Sequence, residues 1–596
     1  MSKTRQGAEI IVDHLIAEKV PYLFGLCGHG IVGLMNAALD RRDRIRTVSV
    51  HNEQIAGFAA DAYYRVSRQP VATFTSCGPG SVNIQMAIAN ALLDSSAVLA
   101  ITGNIPTQQF NKGPFQEFGQ HYQADYVSAM RPYVKRSFQA SRPDMLPSMM
   151  RLAFNEMLAG RVGPVHLDVP FNVFVESAEC ELEGPDTWRS RRPSGVAAAD
   201  ADIGAALDLL LAAKRPLILA GHGCLLGSAR SSLQAFSRAT GIPVATTPQG
   251  KGVLADDEAL YLGLTGRDGT YPGNRAVRGC DVLLAIGTRF GDRGTSSWHE
   301  GATHSASTQL IHVDIEPAAL SRNYPTAVGI IGDAAMVLAQ LLQAAGARPD
   351  ADPGARAAWR EETGAWKARW ADTIAPGKTS DALPLHPGRV VADLAQATPK
   401  DAIVLSDIGQ HHSWMVQQWP IAGGRQFLQS GGAATMGFGV GGAIGAAFAG
   451  QGRPVVAVVG DGGMLMHASA IATAVECGLP IVWLVWNNCG YVSIRDIQKG
   501  FFGDTREFAT RFRAGGTEGE LLSTDFAMLA NAMGATGVRI ERAQDISAQV
   551  EAAIACRKPV VLDVRVSADT PRFTSGTWNM PPLLGSAPNF DPYPLN

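Results

Sequence analysis

The chain has 596 residues, 46% of them hydrophobic and 18% charged, with a formal net charge of −3 at pH 7. A single core would outgrow the usual domain size at this length, so three or four domains are expected. No lysine/arginine block accompanies the near-neutral charge, which argues against a polyanion-binding protein and against nucleic acid as a partner.

The eight cysteines show no CxxC and no zinc-type spacing, the pattern of reduced thiols in a cytoplasmic protein. At the N-terminus, MSKTRQGAEIIVDHL enters an amphipathic helix pattern without the apolar stretch of a signal peptide. The most membrane-like run, MGFGVGGAIGAAFAG, is short and glycine-rich. It reads as a tightly packed helix, and no membrane partner is expected.

Three blocks alternate short β-rich runs with helical patterns, which predicts an α/β chain of three doubly wound parallel-sheet domains. The first, residues 1–178, holds the runs IRTVSV, VATFTS, AVLAITG and GPVHLDV. A polar stretch, ESAECELEGPDTWRSRRPSG, reads as a linker. The second block, residues 195–345, contains RPLILAGHG, IPVATT, DVLLAIGTRFGDR and LIHVDIEP. A further linker with a charged helix leads to the third, residues 380–566, with DAIVLSDIG, RPVVAVVGDGG, IVWLVWNN and PVVLDVRV. The tail, residues 567–596, is rich in proline and aromatic residues and is expected to be an ordered cap or active-site lid.

The third block carries the most informative pattern. VVAVV is an apolar run bounded by Pro454 and Gly460, as in a buried parallel strand, and IVWLVW is the next. The intervening helix makes this a βαβ unit, with Gly460-Asp461-Gly462-Gly463 at one strand's carboxyl end and Asn487-Asn488 at the other's. Open α/β sheets bind ligands at that edge, where glycines admit a phosphate and helix N-termini present free N–H groups. An aspartate there would repel a phosphate unless a cation lay between them. Asp461 and an asparagine side-chain oxygen are hard ligands suited to Mg²⁺.

The spacing GDG, then 24 residues, then NN resembles the signature of thiamine diphosphate enzymes. The resemblance implies that Asp461, Asn488 and the backbone carbonyl of Gly490 hold Mg²⁺. Beyond this motif, HNEQIAGFAADAYYRVSRQPVATFTSCGPGSVN resembles the acetolactate synthase pattern and puts Glu53 at the family's catalytic glutamate, paired with the aminopyrimidine ring. Taken alone, a glutamate in a first helical turn would be a helix-dipole charge. SDIGQHHSW matches the family's diphosphate contact at Gly409, Gln410 and His411, and Met436 matches the methionine that props the bent cofactor. Gly78, Gly462, Gly463 and Tyr491 join the implied cofactor contacts, and Gln116 in FQE faces the substrate side. In such enzymes the first and third domains of one site come from different subunits, so a homodimer or homotetramer is implied.

In the middle block, Gly221 and Gly223 follow a strand, a weak dinucleotide signal by themselves. With Arg289, Arg293 and Asp314 they resemble the family's FAD-binding segments, which implies bound FAD in a structural role. Two positions depart: the family's RFDDR is RFGDR here, and Arg267-Asp268 replaces a Met-His pair.

The implied reaction cleaves or forms a C–C bond beside a carbonyl through an enamine, with a ketone or 2-oxoacid as small-molecule substrate. In FGLCGHGIVGL, His29 stands where pyruvate decarboxylases carry an acid/base aspartate, which suits proton transfer. A loop histidine bonded to backbone is the alternative. A family lysine is Phe171 here, and a substrate-site methionine and tryptophan are Ser493 and Ile497. These changes favour the cyclohexane-1,2-dione hydrolase branch and a 1,2-dione-cleaving, acyloin-forming enzyme with His29 and Gln116 beside Glu53. Acetolactate synthase and a flavin-linked 2-oxoacid oxidase are the alternatives.

Overall fold

The computed structural model describes residues 3–117, 125–188, 195–298, 303–346, 348, 352–422 and 424–573; the expected lid therefore lies, from residue 574 on, outside the described residues. Three six-stranded sheets, each parallel throughout, carry the fold. Their central strands are the apolar runs of the sequence. Val98–Asn104 and Ile481–Asn487 are buried along their whole length, as strands covered by helices on both faces must be.

The first sheet orders its strands Arg46–Ser49, Tyr22–Gly25, Val71–Thr75, Val98–Asn104, Val165–Pro170, Arg136–Gln139. The third runs Gln426–Gln429, Ile403–Ser406, Val455–Gly460, Ile481–Asn487, Val560–Arg565, Thr536–Ile540. Counted in chain order within each sheet, both follow 2-1-3-4-6-5. The central sheet, Tyr261–Leu264, Val244–Thr246, Pro216–Ala220, Val282–Ile286, Gln309–Asp314, Val328–Ile331, follows 3-2-1-4-5-6 instead. The central order reverses once, between its strands 1 and 4; the other two reverse between strands 1 and 3 and turn back again at the 6-5 edge, and the crevice beyond the strand ends at such a reversal is where these sheets take ligands.

First and third sheets share one hydrophobic core, joined by helix Glu53–Ser67 lying on helix Phe438–Ala449. The glycine-rich run of the latter serves this contact. A Cβ at Gly445 would sit 1.8 Å from the Ala59 carbonyl oxygen, and one at Gly441 3.2 Å from Ile55 Cα. Among the described residues, no helix is long and apolar enough to cross a membrane.

The ends of the first block depart from expectation. Lys3–Gln6 forms a strand before helix Gly7–Ala17, and it pairs antiparallel with Ser177–Cys180, the start of the supposed linker. That linker therefore begins inside the fold.

Candidate active site

The third sheet reverses between Ile403–Ser406 and Val455–Gly460, and a cavity of about 350 Å³ opens at their carboxyl ends. Gly409, Gln410, His411, Met436, Asp461, Gly462, Asn488, Gly490 and Tyr491 all line it. Asp461 is the first residue of the short helix Asp461–His467. One of its carboxylate oxygens, Oδ2, accepts from the backbone N–H groups of Asn488 (3.1 Å) and Gly490 (3.0 Å), and Oδ1 accepts from Gly462 N–H (2.8 Å). Burial nevertheless raises its carboxyl to about 6 against those donors, so a neighbouring cation would strengthen its hold on negative charge.

The two asparagines divide their work. Asn487 donates to the fully buried carboxylate of Asp563 (2.8 Å) and to the Thr524 carbonyl (3.0 Å), fastening two strands. Asn488 turns to the cavity, where its Nδ2 donates to Gln410 Oε1 (2.9 Å) and leaves Oδ1 as an oxygen for a cation. No group of three or more His, Cys, Asp or Glu able to hold a metal occurs among the described residues. One carboxylate with amide and carbonyl oxygens is instead the mixed hard set that Mg²⁺ takes when phosphate oxygens and water complete its shell.

The cavity also holds buried donors without partners among the described residues: Nε2 of His411 and of His412, and Nε1 of Trp486. Burial lowers the His411 imidazole to about 3, so it is neutral. Such orphaned polar atoms are costly unless a ligand meets them, and a diphosphate fits. Gly462 lines the cavity, and a Cβ there would meet the Tyr491 ring at 2.4 Å; Gly463 does not line it, and a Cβ there would meet Asp407 Oδ2 at 2.2 Å.

Glu53 opens helix Glu53–Ser67 directly after the edge strand Arg46–Ser49. Its Oε2 accepts from Asn83 Nδ2 (2.6 Å), and Gln54 beside it donates to Asn83 Oδ1 (3.0 Å). Asn83, missed in the sequence reading, lies in the helix that follows Gly78-Pro79. At the first sheet's reversal, between Tyr22–Gly25 and Val71–Thr75, the loops bring His29 and Cys77 together, with Nε2 to Sγ at 3.5 Å. Gln116 Oε1 is 3.9 Å from the same sulfur. Both Gly78 (φ +61°) and Gln116 (φ +63°) are left-handed, and a Cβ at Gly78 would strike the Gln116 carbonyl at 2.4 Å. Backbone strain of this kind gathers at functional sites.

These two sets do not meet within one chain. Among the described residues, none of the first sheet's unit lines the cavity. Gln54 instead contacts His467 (3.1 Å), the far end of the helix that Asp461 begins.

The implied FAD residues also separate. Gly221 and Gly223 pack against the next strand's end, where a Cβ would meet the Gly287 carbonyl oxygen at 2.3 Å and Gly287 Cα at 2.6 Å. Close packing alone therefore accounts for both glycines. Arg293 lies on the wall of the diphosphate cavity, paired with Asp268. Arg289 and Asp314 do stand at the central sheet's reversal, with Arg161. There, burial and then the guanidinium groups of Arg65, Arg68, Arg289 and Arg161 push the His222 imidazole well below its usual range. Arg65 Nε and Arg68 Nη1 are buried without partners among the described residues, a donor set that fits an anionic dinucleotide.

Comparison with known proteins agrees with the three units. Residues 5–124 match "Thiamine pyrophosphate enzyme, N-terminal TPP binding domain", 203–341 its "central domain" and 407–564 its "C-terminal TPP binding domain". The chain is 33% identical over 580 residues to the "Probable acetolactate synthase large subunit" of Methanococcus aeolicus, covering 94% of this chain and 92% of that protein. The corresponding protein of Methanocaldococcus jannaschii is 34% identical over 570 residues, with coverage of 94% and 91%. The "Acetolactate synthase large subunit" of Haemophilus influenzae is 30% identical over 572 residues, 95% of each chain. With its three domains and nearly full-length kinship, the chain belongs to the acetolactate synthase-like family of thiamine diphosphate-dependent carboligases and lyases.

Proposed function

We propose that the enzyme condenses small 2-oxoacids in the manner of an acetolactate synthase, cleaving a donor beside its carbonyl and passing the fragment to an acceptor carbonyl. One observation carries this reading: a cavity lined by Asp461, Asn488 and His411, whose Nε2 has no partner among the described residues, in a chain aligned over 94% of its length with an acetolactate synthase large subunit. Thiamine diphosphate, when bound, supplies the carbanion that adds to the donor carbonyl and accepts the electrons of the broken bond. Asp461, Asn488 and the Gly490 carbonyl would hold Mg²⁺, and Gly409, Gln410 and His411, which line the same cavity, would meet the diphosphate. Met436, which lines the cavity beside Gly462, would support the cofactor there. Glu53, oriented by Asn83, gives and takes a proton at the aminopyrimidine. Because Glu53 lies off the cavity, a second copy supplies it, and the working unit is at least a homodimer, with a homotetramer as the larger form. FAD, when bound, would be held in the central crevice by Arg68, Arg161, Arg289 and Asp314, in a structural role.

A second reading, cleavage of a 1,2-dione, draws support from the cluster of His29, Cys77 and Gln116 on the first sheet, where water and a proton donor would be placed. The neutral, smaller Ser493 and Ile497 in the cavity wall fit it also. A donor panel of purified enzyme with pyruvate, longer 2-oxoacids and cyclohexane-1,2-dione, with products identified, separates the two. Acetohydroxyacid from pyruvate without dione cleavage is expected, and the reverse pattern would replace the first reading with the second. In the same assay Glu53→Gln loses turnover while thiamine diphosphate still binds; undiminished turnover would remove Glu53 from its role.

A further inference from the structure

One turn carries a large share of the site. Asn488, Gly490 and Tyr491 all line the cavity, and the backbone between them bends sharply, with φ +60° at Cys489 and +151° at Gly490. A residue with a side chain is strained in the left-handed region, so the surrounding structure must impose that conformation on Cys489. The restraint comes from further along the chain, beyond helix Val492–Phe502. There Tyr491 N–H donates to the Thr510 carbonyl (2.8 Å) and Phe512 N–H to the Cys489 carbonyl (3.0 Å), and Gly490 pairs with Arg511 in an isolated antiparallel bridge. The approach is close enough to demand glycine: a Cβ at Gly490 would lie 2.4 Å from the Thr510 carbonyl oxygen and 2.8 Å from Arg511 Cα.

The side chain of Arg511 reaches the same turn. Its Nε donates to the Cys489 carbonyl (3.0 Å) and its Nη2 to the Asn488 carbonyl (3.1 Å), and these are its only hydrogen bonds among the described residues. The N–H groups of the turn go elsewhere, those of Asn488 and Gly490 donating to Asp461 Oδ2. The backbone groups are thus divided: Arg511 takes the carbonyls of residues 488 and 489, and the Gly490 carbonyl accepts no hydrogen bond among the described residues. That free oxygen belongs to the set read above as Mg²⁺ ligands. Arg511 itself does not line the cavity, so it acts on the site only through the turn. Its planar fork spans two adjacent carbonyls at once, which the single point charge of a lysine on its flexible stem cannot copy.

We propose that Arg511 is a positioning residue for Mg²⁺: by holding the Asn488 and Cys489 carbonyls it fixes the strained turn and leaves the Gly490 carbonyl and the Asn488 side chain to the metal. This rests on the reading of Asp461, Asn488 and Gly490 as the ligands. The test compares wild type, Arg511→Gln and Arg511→Lys, with Arg513→Gln as the control. Arg513, two residues on, donates to the Gly519 carbonyl (2.9 Å) and to Glu507 (3.3 Å) and to no group of the turn. Two quantities are read for each protein: the Mg²⁺ dissociation constant at saturating thiamine diphosphate, by tryptophan fluorescence, and the Tm of the cofactor-free protein, by calorimetry. The expected result is a Mg²⁺ dissociation constant raised about 10- to 100-fold in Arg511→Gln, as for loss of a group that orients metal ligands. Arg511→Lys recovers part of that loss, Arg513→Gln stays within about two-fold of wild type, and every cofactor-free Tm stays within about 2 °C. Unchanged Mg²⁺ affinity in Arg511→Gln would overturn the assignment of Arg511 while leaving the ligand set in place. An equal loss in Arg513→Gln, or a cofactor-free Tm that falls in step with the metal affinity, would overturn it too, since the stability of the loop would then explain the effect. Wild-type protein that binds thiamine diphosphate with no need of Mg²⁺ would overturn the ligand set and the proposal together.

Discussion

Replacing Gly445 by alanine tests the contact that sets the first and third sheets against each other. In an exposed helix the change would stabilise by about 1 kcal/mol, because glycine is the poorer helix former. Here the added Cβ would lie 1.8 Å from the Ala59 carbonyl oxygen, and that atom belongs to the backbone of helix Glu53–Ser67, so no rotamer can move it away. The two helices must separate, and overpacking of this kind costs about 1–3 kcal/mol or more. The expected net loss is about 1–2 kcal/mol, or roughly 2–8 °C in Tm for a domain of some 150–250 residues. Gly364 supplies the control: it lies in helix Pro353–Lys378, and a Cβ there meets nothing within 4 Å. Gly364→Ala should raise Tm by up to about 4 °C from the same propensity term. Differential scanning calorimetry of both variants in one buffer reads the two signs. Gly445→Ala with a Tm equal to or above wild type would refute the argument, since the only terms left would be those favouring alanine.

Asn487→Ala should destabilise the cofactor-free protein by about 1–3 kcal/mol, because it leaves Asp563 short of a buried donor. Asn488→Ala should spare that stability and weaken Mg²⁺-dependent cofactor binding; calorimetry and fluorescence titration read the two, and the opposite assignment would contradict the geometry. A third prediction concerns Asp168, which accepts from Thr102, Asn104 and Gln139 on the first sheet. Burial raises its carboxyl to about 6, so the folded state binds the proton more tightly than the unfolded chain does. Its destabilising contribution is absent below pH ~4 and complete above pH ~6, reaching at most about 3 kcal/mol. Asp168→Asn should therefore gain on wild type as pH rises from 5 to about 7 in denaturant titrations, and a pH-independent difference would rule the linkage out. His166 beside it, pushed down to about 3 by burial, is common to both proteins and cancels.

The fully buried strands were readable because helices on both faces demand unbroken apolar runs. Most edge strands were not: Arg46–Ser49 showed in IRTVSV, but Arg136–Gln139, Tyr261–Leu264, Val328–Ile331, Gln426–Gln429 and Thr536–Ile540, which each end a sheet, are only four or five residues long, too short to set a period. Tyr22–Gly25 escaped notice for brevity alone, since it lies inside its sheet. At the site, GDG and NN located the cavity floor, yet nothing in two adjacent asparagines says that one braces Asp563 and the other faces the cavity. Strand pleat decides that, through which side each residue falls on. The Arg267-Asp268 departure was visible, but its meaning depends on loops about 25 residues apart that supply Asp292 and Arg293. Asn83 carried no signal of its own until the fold set it against Glu53.

The shared 2-1-3-4-6-5 order has a consequence for how such a chain can diverge. One sheet plan is used twice, and the two crevices carry different groups: the third gathers Asp461, Asn488 and backbone N–H groups at its cavity, while the first displays His29, Cys77 and Gln116 on short loops. Residues that choose among substrates can drift on the first sheet's loops without loosening the anchor on the third. A lineage built this way can exchange one reaction for another by editing a few loop positions, while the grip on its cofactor is inherited intact.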